Sequence, residues 1–324
     1  MSVIGLQSSI WSNRTKTFLL LLLFPILVFG IVFLIMYFLS IGNPNPNIPL
    51  QSDYYLFKSL DGSLQIFTFL GPILLIWCLI SFTFHRYFIF TFTGAKPLTR
   101  KENPEIYNIV ENLCISRGLP TPSIGILEDD SLNAFAVGWN PKKAWIVFSR
   151  GILEKLNKQE IEAVAAHELT HIMNKDGLLL VAVIVFIGAV AAIGEITFRF
   201  GINMGKDSDS RDGTQLKIIM ILVGIAFLIL GYMVLPLVQL AVSRKREYLA
   251  DAGSVELTKD KNAMITALKN ISNDSTIESI KKDSISALCI SSPFPKTKGI
   301  GNWFHEFFST HPSIENRVAM LEKY

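Results

Sequence analysis

The sequence is short of charge. Only 18% of its 324 residues are Asp, Glu, Lys or Arg, while half are apolar and 23 are phenylalanine; an ordinary soluble domain carries about a quarter charged residues. That argues against a chain whose whole surface faces water. Cysteine is scarce as well. Cys78, Cys114 and Cys289 are an odd number, widely spaced and without a C-x-x-C. This leaves neither a disulfide framework nor a cysteine zinc knuckle, and a reducing compartment suits the soluble parts. Neither Cys114 nor Cys289 has a histidine in a readable local motif, so a cysteine protease has no support. The net charge of +3 comes without a basic stripe of interleaved aromatics, so nucleic acid is not an expected partner. There is no internal repeat and no low-complexity tract.

What is present is long apolar runs. Residues 18–39, 66–84, 177–194 and 218–240 each approach or exceed the roughly 20 residues of a spanning helix. The first is too long for a signal peptide and lacks a clear cleavage site, so it reads as a retained anchor. The third is shortest and ends at Glu195, which leaves a buried hairpin as its alternative to a full span. Arg14 and Lys16 precede the first run, Arg86, Lys96, Arg100 and Lys101 follow the second, and Arg244 to Arg246 follow the fourth. That bias predicts a multi-pass protein of the cell membrane with both termini and the central segment in the cytoplasm. Arg199, Lys206, Arg211 and Lys217 between the last two runs weaken the asymmetry. The expected organisation is 1–93 for a membrane region with two spans, 94–176 and 241–324 for two halves of one catalytic domain, and 177–240 for the third and fourth spans.

Between these runs the spacing predicts an amphipathic helix over 104–117, with Ile106, Ile109, Val110 and Leu113 on one side. A short strand is expected at 123–127. Two more, 133–137 and 144–148, flank an Asn-Pro turn and read as a hairpin. Asn157 and Glu160 have capping-box spacing, so a helix opens near Lys158. Further helices are expected to 253, over 260–271 and from Pro312 or Ser313 to the end, with 272–300 loop-rich. The fold class is therefore α+β, a mostly helical domain with a small β-hairpin or sheet.

Inside the helix that opens at Lys158 lies His167-Glu168-Leu169-Thr170-His171, an H-E-x-x-H sequence. Four residues apart on a helix, the two imidazoles share a face and can hold one zinc ion, while Glu168 can take a proton from water. A catalytic zinc site uses three protein ligands. His85, His305 and His311 are the remaining histidines. Glu247 is the better third ligand, because Glu247 and Asp251 share a helical face, so that one can bind metal while the other accepts a proton from an imidazole. The alternative for this pair is an exposed face with local ion pairs to Arg244 or Arg246.

These residues resemble the HtpX-like branch of membrane zinc metallopeptidases, relatives of the CAAX prenyl proteases with a gluzincin-type domain. The resemblance is carried by Asn133-Ala134-Phe135-Ala136, by His167 to His171 with Asn174 and Asp176, by Arg246-Glu247-Tyr248-x-Ala250-Asp251, and by His311-Pro312 with Arg317. It implies one zinc per chain on His167, His171 and Glu247, with Glu168 as catalytic base and Asp251 behind His167. Asn174 and Asp176 would brace the end of the catalytic helix. Asn133, Ala134, Phe135 and Ala136 would form a substrate-binding edge, an extended peptide adding to the sheet. His311 would help stabilise the oxyanion, although it suits a helix start before Pro312 equally well; Arg317 would hold the last helix by ion pairing. The resemblance further implies polypeptide substrates that are misfolded, damaged or membrane-associated, in stress response and quality control. Two alternatives stand beside it: a prenylated-protein processing peptidase, and an inactive membrane scaffold or chaperone with a structural metal.

Overall fold

The structure is a computed structural model that describes residues 6–42, 45, 47–49, 53–138, 140–203, 217–218, 220–231, 244–273 and 312–324. The chain divides into two compact units. The first comprises residues 1–15, 84–181 and 236–324, the second residues 16–83 and 182–235. His311, the fourth apolar run beyond residue 231, and the 274–300 part of the expected loop lie outside the described residues.

The first unit is built on a four-stranded mixed sheet. Its strands are β1 (Lys96–Pro97), β2 (Ser123–Leu127), β3 (Ala134–Val137) and β4 (Trp145–Ser149), in the spatial order β1-β2-β4-β3. The expected hairpin is present: β3 and β4 are antiparallel, with Phe135 opposite Val147, and a 3-10 turn at Pro141–Lys143 joins them. The composition of the strands did not anticipate the rest of the sheet. β4 inserts parallel to β2, and the two-residue β1 closes the far side. Among the described residues β3 is therefore an edge strand.

Helices cover this sheet. α3 (Pro104–Ser116) starts at an Asn103 cap and buries Ile106, Ile109, Val110 and Leu113, the apolar face its spacing predicts. A short α4 (Arg150–Lys155), which was not expected, starts on the Ser149 hydroxyl. α5 (Lys158–Asn174) opens with the full capping box. The Asn157 side chain accepts from Glu160 N, and Glu160 accepts from Asn157 N, both at 3.0 Å. From the other side Asn270 of α9 (Lys261–Asn273) donates to Glu160. α8 (Arg244–Thr258) packs across α5 at unusually close range. A Cβ on Gly253 would lie 2.5 Å from the Thr170 side chain, and the Ser254 hydroxyl donates to the Ala163 carbonyl at 2.6 Å. The last helix, α10 (Ile314–Glu322), is capped by Ser313. One core runs through these elements, with Ile124, Ile146, Phe148, Val164, Met264 and Leu268 wholly buried.

The second unit is helical. It contains most of α1 (Leu6–Gly42), α2 (Asp53–Thr93) and α6 (Asp176–Asn203), and the whole of α7 (Met220–Gly231). α1 and α2 meet through a Ser40–Ser59 hydrogen bond of 3.2 Å and an edge-on Phe29–Phe67 pair. α6 and α7 run antiparallel at close range, Gly194 facing Leu228, Gly201 facing Ile221 and Gly224 facing Phe198. Among the described residues one stretch, Asp53–Phe84, is long and apolar enough to cross a membrane. The first apolar run lies entirely within the 37-residue α1.

Candidate metallopeptidase centre

Two helices supply the centre. On α5, His167 and His171 stand one turn apart, with their ring centroids 4.8 Å from each other. On α8, Glu247 and Asp251 are likewise one turn apart. Because Gly253 and Thr170 let the helices approach closely, the two faces meet. Glu247 lies 3.7 Å from Nε2 of each histidine, and Asp251 lies 3.0 Å from His167 Nδ1. His171 Nδ1 is 2.7 Å from Asp176. This partner of His171 is more specific than the helix-end brace expected of it. Five residues on along a continuous helix, Asp176 would lie about 140° round the axis from His171. α5 instead stops at Asn174, Lys175 takes a left-handed φ of 56°, and α6 begins at Asp176. The reversal returns the carboxylate to the imidazole.

Arg317 fills the remaining side. Wholly buried, it grips Asp251 with two bonds, Nη2 to Oδ1 at 2.6 Å and Nε to Oδ2 at 2.9 Å, and its Nη1 is 3.5 Å from Glu247. This brings α10 to the centre. Arg246, offered by the spacing as an exposed partner for Glu247 or Asp251, is buried and reaches Asp176, its Nη1 lying 3.4 Å from the carbonyl and 3.9 Å from the carboxylate. Asn174 is buried at the end of α5. Asn133 is buried beside the sheet, accepting from Ala134 N and linked to Ser149 through both its backbone N and its carbonyl.

The electrostatics follow from burial. Burial alone would lower the His167 pKa, but hydrogen bonds to Asp251 and Glu247 outweigh it and push it up to about 9. Burial alone would raise Asp251; Arg317 and His167 outweigh it and hold that carboxyl below the usual range. For Glu168 burial outweighs the nearby positive charges of His167, His171 and Arg317 and pushes its pKa up. Both Glu168 oxygens are buried and without a hydrogen-bond partner among the described residues.

The donor set fits a divalent cation on three counts. Zinc bonds of about 2.1 Å in a tetrahedron place ligand atoms about 3.4 Å apart. The nitrogen and oxygen atoms of His167, His171 and Glu247 are separated by 3.2 Å and, twice, 3.7 Å. Each Nδ1 faces a carboxylate, which turns the two Nε2 atoms towards one another, 3.2 Å apart, where a single cation can replace the proton held between them. The charge count agrees. Four buried carboxylates, Glu168, Asp176, Glu247 and Asp251, stand against two buried guanidiniums, Arg246 and Arg317, an excess of negative charge that a dication balances as it displaces the proton of His167.

Two helix-borne histidines, a glutamate from a second helix and an unpaired carboxylate next to the first histidine define a zinc metallopeptidase. Residues 100–324 match peptidase family M48, and the chain belongs to that family. It is similar along its whole length to a protease HtpX homolog of Bacteroides fragilis, at 38% identity over 328 residues covering 100% of both chains. A protease HtpX homolog of Streptococcus pneumoniae is 33% identical over 322 residues, covering 98% of this chain and 99% of that one. Among solved structures, Ste24p of S. mikatae aligns with 97% of this chain and 66% of its own length at a TM-score of 0.48 and 18% identity.

Proposed function

We propose that this protein is a zinc-dependent endopeptidase that cuts misfolded or damaged membrane-associated polypeptides by attack of water. One observation carries the catalytic part: a buried carboxylate, Glu168, with neither oxygen hydrogen-bonded among the described residues, beside the His167, His171 and Glu247 cluster. A bound zinc ion would polarise the scissile carbonyl and acidify water. Glu168 accepts the proton of the attacking water, aided by a pKa that burial raises, and returns it to the leaving amine. Asp251 and Asp176 hold the Nδ1 protons of His167 and His171, leaving each Nε2 lone pair for the metal. His311 completes the proposal as an oxyanion donor.

Substrate binding is proposed for the edge of β3. Ser149 N donates to Asn133 O, so ladder alternation turns the main-chain groups of Phe135 and Val137 towards β4 and those of Ala134 and Ala136 outwards. An extended chain can add there by backbone hydrogen bonds, with little dependence on its side chains, which suits substrates chosen for being unfolded.

The membrane reading, with 1–93 and 177–240 as membrane regions, four spans and a cytoplasmic catalytic domain, is supported by outward apolar side chains. Phe69, Ile73, Leu75 and Leu79 on α2 are all at least 60% exposed. Small-residue contacts between α6 and α7 suit packing in lipid, where close backbone approach replaces hydrophobic burial.

The test is cleavage of an unfolded membrane protein by wild type, Glu168→Gln and chelator-treated enzyme. Glu168→Gln should retain zinc and lose about 10²–10⁴-fold in rate. Chelation should abolish cleavage and added zinc restore it. Unchanged cleavage by Glu168→Gln removes the base, and cleavage restricted to a farnesylated peptide replaces the substrate class. No zinc dependence would leave a scaffold.

A further inference from the structure

We infer that Arg246 is a positioning residue for the metal ligand His171, acting through Asp176. The inference rests on the zinc-ligand reading above. Arg246 stands one residue before Glu247 on α8 and its side chain is buried. Buried arginines are rare unless paired, and among the described residues this one is directed at the corner between α5 and α6. There its Nη1 approaches both the Asp176 carbonyl, at 3.4 Å, and the Asp176 carboxylate, at 3.9 Å. The other carboxylate oxygen of Asp176 meets His171 Nδ1 at 2.7 Å.

The corner needs such a hold. Lys175 carries a left-handed φ without being glycine, a conformation costing roughly 1–2 kcal/mol. Beyond Asp176, Gly177 lies against the Gly138 carbonyl so closely that no Cβ would fit between them. The corner is thus set from one side by the end of the edge strand and from the other by Arg246. The guanidinium also sets a positive charge 3.9 Å from the Asp176 carboxylate. Held at the corner, that carboxylate accepts from His171 Nδ1 and so turns Nε2 towards the metal position.

The two ligand imidazoles are therefore oriented by parallel devices, Arg317–Asp251 for His167 and Arg246–Asp176 for His171. One short segment of α8 serves both, since Arg246 braces one ligand, Glu247 is itself a ligand, and Asp251 braces the other. The guanidinium length matters. A lysine ends short of Nη1 and reaches the corner less well.

The experiment measures zinc affinity by competition with a chromophoric chelator on the purified full chain. It covers wild type, Arg246→Gln, Arg246→Lys and Asp176→Asn, and each Arg246 change combined with Asp176→Asn. Losing an outer partner of a zinc-bound histidine costs 10–100-fold in affinity. The expected losses are about tenfold for Arg246→Gln, about threefold for Arg246→Lys, and about tenfold or more for Asp176→Asn. In the Asp176→Asn background both Arg246 changes should have no further effect. Undiminished affinity in the Arg246 variants, or a loss of equal size in both backgrounds, overturns the inference. Should Arg246→Gln fail to fold, Arg246→Lys decides by the same two criteria. A wild type that binds no zinc would instead defeat the ligand reading, which keeps the two failures apart.

Discussion

The two units of the molecule sort the same residue types in opposite directions. In the first, large apolar side chains point inward, and the interior also holds a dense knot of charge made by His167, Glu168, Asp176, Arg246, Glu247, Asp251 and Arg317. In the second, the buried polar groups among the described residues are three serines, Ser40, Ser59 and Ser63, while Phe38, Phe69 and Leu75 face outward. The first arrangement suits water, and the second suits lipid on the membrane reading proposed above. A protein in water can bury charge only where partners and a metal compensate it. A helix in lipid gains nothing by hiding a leucine, and satisfies its few hydroxyls locally, as Ser59 and Ser63 do on the carbonyls four residues back.

The largest expected effect that tests this contrast comes from removing one member of the charged knot. Arg317→Met leaves Asp251 buried without its bidentate partner and should destabilise the first unit by about 3–5 kcal/mol. The apparent Tm should fall by about 10 °C and zinc retention should drop. Arg199→Met, which breaks the exposed Arg199–Glu195 pair on α6, should change stability by no more than about 0.5 kcal/mol. Comparable losses from both would show that burial does not separate the units. Next comes a charge on an outward apolar position. Leu75→Lys on α2 should cost about 2.5–3.5 kcal/mol of membrane insertion and reduce the protein recovered in the membrane fraction. Ile115→Lys on α3, at a site 70% exposed, should be silent within about 0.5 kcal/mol. If Leu75→Lys is equally silent, the outward face of α2 does not meet lipid. The smallest effect concerns spacing. Gly253→Ala sets a methyl against Thr170 and should cost about 1–3 kcal/mol, weakening zinc binding as α8 moves Glu247 away. Gly224→Ala, equally tight against Phe198, should destabilise the α6–α7 pair and leave zinc affinity unchanged.

Much of the first unit could be read before any coordinates. The capping box at Asn157 and Glu160, the amphipathic face of α3 and the β3–β4 hairpin are local patterns, each decided by residues within a few positions of one another. The same holds for His167 with His171 and for Glu247 with Asp251, because a helix puts residues four apart on one face. The partner of His171 was not legible in this way. Its assignment depends on Lys175 leaving the helical conformation, and a lysine carries no signal for that; the Asp-Gly step after Asn174 was the available hint. The parallel insertion of β4 beside β2 depends on contacts that strand composition does not encode. Arg246 looks like a surface residue in the chain and only burial reveals its work, while for Arg317 the resemblance implied an ion pair and the structure names Asp251 as its partner.

The H-E-x-x-H turn and its companion glutamate thus follow from the sequence by itself, since helical periodicity converts spacing into a shared face. Only the tertiary structure decided how far apart those faces stand. The separation depends on Gly253 against Thr170, on the corner at Lys175, and on two arginines drawn inward from distant segments. Charge compensation in a buried site is a sum over the whole fold, and no single stretch of chain contains it.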